Sequence, residues 1–134
     1  MKTDEQFLEE LAFLWNSIVA THPDLSGAYD DLTAAAEAFL SEAEGKADSR
    51  RLDRLRQTYE RARTRARGYF MTQAKNLSAL NNLLREWKSP GRDYVRHVDR
   101  ARQFHSDYVN AMNESSADID RIGSAVEDFE TARP

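Results

Sequence analysis

The chain has 134 residues, a net charge of −4, 31% charged and 40% apolar side chains, five Gly, three Pro and no Cys. This length favours a single domain over 1–134 with a modest core, and the absence of Cys excludes disulfides, thiolate nucleophiles and cysteine-based zinc sites. No run reaches the roughly 18 apolar residues that span a membrane, and Asp4, Glu5, Glu9 and Glu10 interrupt the pattern of a signal peptide, so a cytoplasmic protein with no membrane partner is expected.

In chain order, Thr3 followed by Gln6 forms a capping box. Phe7, Leu8, Leu11, Leu14, Trp15, Ile18 and Val19 then recur at three- and four-residue spacing, predicting a first helix over about 4–20. His22-Pro23-Asp24 reads as a turn, because Pro disfavours helix at the residue before it. Leu25, Tyr29, Leu32, Ala36, Phe39 and Leu40 predict a second helix to about residue 44. Gly45 suits a left-handed cap there. Asp48 or Ser49 caps the next helix.

From residue 49 the pattern lengthens. Leu52, Leu55, Tyr59, Ala62, Ala66, Phe70, Ala74, Leu77, Leu80, Leu84 and Trp87 keep a near-heptad rhythm to about residue 88. Ser89-Pro90-Gly91 breaks it, with Ser89 as cap and Pro90 as the first residue of a further helix to about 130. The last seam runs Tyr94, Val98, Ala101, His105, Tyr108, Met112, Ser115, Ile119, Ile122, Val126 and Phe129. The expected fold is all-α. Two short N-terminal helices join the base of a long, coiled-coil-like antiparallel hairpin (about 49–88 and 90–130), making a four-helix bundle there. Gly68, opposite the helix-poor Asn113 to Ser116, leaves room for a kink.

Charge is distributed in blocks: −9 over 1–44, +10 over 45–105 and −5 over 106–134. The run Arg50 to Arg67 holds eight Arg, and folding at about residue 90 sets it against Glu114, Asp118, Asp120, Glu127, Asp128 and Glu130. Ion pairing within the chain thus accounts for the run. A nucleic-acid-phosphate-binding module using Arg50 to Arg67 is the other reading.

Two constellations bear on chemistry. Arg92-Asp93-Tyr94-Val95-Arg96-His97 resembles the Arg-x4–6-His motif of HEPN ribonucleases, small helical domains. That resemblance implies metal-independent RNA cleavage at a dimer interface, with catalytic Arg92 and His97. Asp93, four residues before His97, would orient the imidazole. The same spacing recurs from Arg100 to His105, as expected by chance in an Arg-rich chain. His105, on the last seam, reads as a core polar residue that sets register. With three His and no Glu-x-x-His, no metal or other cofactor is expected.

The broadest signal is apolar. Two facing helices cannot bury the apolar set of residues 69–111, and exposed apolar patches mark interfaces. Phe70, Leu77, Leu80, Leu83, Leu84, Trp87, Val95, Val98 and Phe104 are therefore the candidate interaction residues. The expected function is a non-enzymatic interaction protein (adaptor, chaperone- or inhibitor-like partner, or assembly subunit). It would meet a protein partner through this tip and itself form a homodimer.

Overall fold

The computed structural model describes residues 1–45 and 48–132. Three helices pack together: α1 (Asp4–Glu44), α2 (Ser49–Glu86) and α3 (Val95–Ala132). Thr3 caps α1 as a full capping box, its hydroxyl accepting from the Gln6 N–H at 3.2 Å while Gln6 Oε1 accepts from the Thr3 N–H at 2.9 Å. Asp48 caps α2 by accepting from the Arg51 N–H at 2.8 Å.

The two short N-terminal helices are one. Pro23 lies inside α1, and no turn interrupts it. A helix-interior Pro removes one hydrogen bond and costs about 3 kcal/mol. The surrounding register outweighs that cost. Leu11, Ile18, Leu25, Leu32 and Phe39 stand seven apart, keep one face across Pro23, and are all buried. At about 1.5–3 kcal/mol per large apolar side chain buried, two contacts are enough to offset the Pro. The expected four-helix base is accordingly absent among the described residues.

Contacts fix the relative directions of the helices. Across α1 and α2, which approach most closely, Asp4 meets Trp87, Ile18 meets Gln73, and Glu42 meets Arg51. Between α2 and α3, Trp87 lies against Tyr94, Gln73 bonds Tyr108, and Arg56 pairs with Glu130. Between α1 and α3, Trp15 packs at a tilt against Phe104, His22 meets Tyr108, and Phe39 meets Phe129. Helix α1 thus runs beside both other helices over their whole length. Helix α2 continues through Gly68, and α3 continues through residues 113–116.

Three further expectations change. Gly45 caps α1 with φ −90°, an extended conformation rather than a left-handed one. Helix α3 begins at Val95, with residues 92–94 in a turn, so Pro90 does not open it. The reason is Asp4, whose carboxylate accepts from the Trp87 indole N–H at 2.8 Å and from the Gly91 N–H at 3.0 Å. This clasp holds 87–91 against the first turn of α1, and Tyr94 closes the turn by donating its N–H to the Gly91 carbonyl at 2.8 Å. The α2 seam, finally, passes through Gln73 and not Ala74, which is exposed.

The core is divided. One apolar cluster joins Leu11 and Ile18 to Leu77, Leu80, Leu83, Leu84, Trp87, Val98 and Ala101. The other joins Ala28, Leu32, Ala36 and Phe39 to Leu52, Tyr59, Ala66 and Val126. Between them, fully buried Gln73 donates to the Ile18 carbonyl at 2.9 Å and to the Tyr108 hydroxyl at 2.8 Å. Asn76 donates to Gln73 Oε1 at 3.0 Å. The Tyr108 hydroxyl also hydrogen-bonds His22 Nδ1 at 2.7 Å. Every helix contributes to this polar layer. The residue expected in that role, His105, is instead half-buried and lines a cleft with Asn81, Leu84, Arg85 and Arg102.

Candidate interaction groove between α1 and α3

The expected interaction tip is the interior of the bundle. Leu77, Leu80, Leu83, Leu84, Trp87 and Val98 are all buried, and Phe7, Leu8, Leu11, Leu14 and Ile18 of α1 cover them. Phe70 is half-buried, and Phe104 is half-buried against Trp15, with ring centroids 4.1 Å apart. Only Val95 of the set is exposed. The tip would have stayed open if the chain had turned back at 22–24 and laid residues 4–20 along the base. A charge at Leu80 or Leu84 would therefore act on folding.

The open surface lies next door. Small residues on facing helices, Ala12 of α1 and Ala101 of α3, leave a furrow where larger side chains would interlock. Leu8, Leu11, Trp15 and Asn16 on one side and His97 and Arg100 on the other complete a groove of about 290 Å³. Its floor is apolar, and its α3 wall carries the Arg100 guanidinium beside His97. His97 and Arg100 are shared with an adjoining open cleft of about 480 Å³ whose other lining residues are Arg92, Asp93 and Arg96.

The structure therefore brings Arg92, Asp93 and His97 to one cleft, though not as first pictured. Arg92 and Asp93 stand in the turn before α3, not on its helical face. Among the described residues, Arg92, Arg96, His97 and Arg100 make no side-chain hydrogen bond and no ion pair. Four basic side chains thus gather around one carboxylate, that of Asp93.

The Arg50 to Arg67 run is less occupied by the chain's own acids than its charge pattern suggests. Arg56 pairs with Glu60 at 2.8 Å and with Glu130, Arg51 with Glu42 at 2.9 Å, and Arg65 with Asp31 at 3.7 Å. Of the facing acids, Asp118 instead accepts from the Tyr29 hydroxyl at 3.3 Å and pairs with Arg121 on its own helix. Arg50, Arg51, Arg54, Arg61, Arg65 and Arg67 are exposed. The Arg51 and Arg65 pairs are open to solvent, where screening leaves little net stabilisation.

Two tyrosines are displaced from their ordinary acidity. Burial pushes the Tyr59 hydroxyl up, and nearby Arg63 opposes it. Burial likewise pushes Tyr108 up, against the hydrogen bond from Gln73. Among the described residues no group of three or more His, Asp or Glu could hold a metal ion. No helix of the described residues is long and apolar enough to cross a membrane.

No family model matches this sequence, and comparison with curated proteins and with solved structures returns no match. The resemblance carried by Arg92 to His97 therefore rests on those six residues.

Sequence reasoning missed the groove because residues 4–20, which supply its floor, are expected from the sequence to fold back at 22–24 beside the base of the hairpin and not beside α3. It also missed Asp4 and Gln73. Gln73 was signalled by its place seven residues from both Ala66 and Leu80, but Asp4 had no local signal, since its partners lie more than 80 residues away.

Proposed function

We propose that this chain is a non-enzymatic helical-bundle interaction protein, an adaptor or assembly subunit, that receives an acidic amphipathic helix of a protein partner in the α1–α3 groove. One observation carries the reading: an apolar furrow lies open along a wall of unpaired basic side chains, His97 and Arg100, with Arg92 and Arg96 beyond. An apolar helix face fits the floor, and carboxylates flanking that face meet the guanidinium groups. The acidic N-terminal block of the chain does not neutralise this wall, which leaves it to an incoming partner.

The test uses a synthetic helical peptide with Leu and Phe on one face and Glu on its border. Titrated into the labelled protein, it is expected to move amide resonances of residues 8–16 and 92–101 and leave those near Leu52 and Val126 unchanged. Arg100→Glu is expected to weaken binding roughly tenfold or more. Unmoved resonances at millimolar peptide would refute the reading.

A second reading has support in the shared cleft of Arg92, Asp93 and His97, which suits a HEPN-like ribonuclease. An Arg92→Ala, His97→Ala protein that cleaves RNA as well as the parent would remove it. The exposed arginines of Arg50 to Arg67 favour, third, a nucleic-acid-phosphate contact. It requires an affinity that falls steeply with salt.

A further inference from the structure

We infer that the occupant of the α1–α3 groove is α1 of a second copy of this chain, with Phe13 entering the furrow and Glu9 meeting Arg100. This rests on the groove reading above and names its partner.

Phe13 is 71% exposed, an unusual state for an aromatic ring in the middle of a well-packed helix. The exposed ring stands as an apolar ridge beside a shallow hollow of about 350 Å³ that it lines with Glu9, Glu10 and Leu14; Glu10 is paired with Lys2 at 3.0 Å, which leaves Glu9 as the carboxylate on its border. The groove is the converse, an apolar furrow with a basic border. Two apolar surfaces of one molecule thus carry borders of opposite charge.

Their placement decides between a second copy and a foreign helix. Residues 8–16 of α1 line the groove, and Phe13 lies within that span. Ridge and furrow are thus at the same height on the bundle, separated only by rotation about α1; successive helical residues turn by about 100°. A two-fold axis parallel to α1 brings each Phe13 to the other copy's furrow in a single contact. Both complementary pairs close at once, as an isologous interface requires. A foreign helix in the groove would leave Phe13 in water. The acidic bias of residues 1–44, with ten acidic and one basic side chain, supplies the charge that the Arg-lined wall lacks.

Sedimentation equilibrium from micromolar to millimolar concentration tests this. The parent protein is expected to rise from 15.4 kDa to twice that mass. Phe13→Glu, Glu9→Arg and Arg100→Glu change exposed side chains, so each should keep its helical circular dichroism. Each should weaken association at least roughly tenfold, as expected for a central aromatic anchor or a charge pair facing its own sign. Mixing Glu9→Arg with Arg100→Glu should restore the dimer, because each copy then offers the other the opposite charge at both pairs. A parent that stays monomeric throughout overturns the inference, as does a dimer indifferent to all three variants or a mixture that fails to recover. If the parent is monomeric yet the acidic peptide still moves residues 8–16 and 92–101, the second copy is excluded while the groove reading stands. If neither associates, both fall.

Discussion

Asp4 shows how one side chain can set the boundary of a distant helix. Its two carboxylate oxygens are divided between the Trp87 indole and the Gly91 backbone. Both are charge-assisted bonds, each worth about 1.5–3 kcal/mol. Gly91 has no positive φ. It is needed for proximity, because a Cβ there would lie 2.8 Å from Asp4 Oδ2 and force the carboxylate out of the clasp. Asp4→Ala, which removes both bonds, should therefore lower stability by about 3 kcal/mol or more, and Gly91→Ala, which displaces the same carboxylate, by less. The double variant should lose little more than Asp4→Ala alone, since both remove the same contact. Urea denaturation of the four proteins checks this, and additive losses would mean that Gly91 acts elsewhere.

At the scale of elements, register overrides punctuation. Pro23 and Gly68 are the residues that local rules single out as breaks, and neither ends a helix. Each costs helix stability, and both are exposed. Gly68 is exposed, and a Cβ there would meet nothing within 4 Å. Gly68→Ala should stabilise the protein by about 0.5–1 kcal/mol. Pro23→Ala should stabilise it by about 1–3 kcal/mol, restoring a donor for the Val19 carbonyl. Thermal unfolding followed at 222 nm measures both. Loss of helicity in Pro23→Ala would mean that α1 needs its proline. The same elements show what could be read beforehand. The heptad from Leu11 to Phe39 passes through Pro23 in the sequence itself, and a period held over four intervals outweighs one breaker. Gln73 was legible in the same way, at a core position of the α2 heptad, whereas the Asp4 clasp depends on a meeting of chain segments that no local pattern encodes.

For the whole molecule, two apolar clusters stacked end to end on a polar layer give the bundle its sense of position. Sliding one helix by a turn would bury Gln73 against apolar side chains with its amide unpaired, a penalty of about 1–3 kcal/mol. The two displaced tyrosines add a pH dependence. Tyr59 and Tyr108 both hold their protons more tightly in the folded chain than the ordinary value of 10.0 implies. Their contribution is therefore complete below about pH 10 and is lost as pH rises from there through the raised folded values. The urea midpoint should hold steady in this respect between about pH 7 and pH 9 and fall above about pH 10, less steeply in Tyr59→Phe. An equal fall in that variant would assign the alkaline loss to other groups.

The sequence alone determined the helical class, the Thr3 cap, the start of α2 at Asp48 or Ser49, the end of α1 near residue 44 and most of each apolar face, because these depend on neighbours within one or two turns; it misplaced the start of α3 at Ser89-Pro90 and put Ala74 where Gln73 is buried. The tertiary structure decided that α1 is one helix, and so decided what is covered and what is open. Whether the apolar set of 69–111 is surface or interior depends on a helix more than 50 residues earlier reaching it. The sum of that burial, not any local propensity, carries the chain through Pro23. The groove follows from the same event, since it exists only where the first half of α1 lies beside α3.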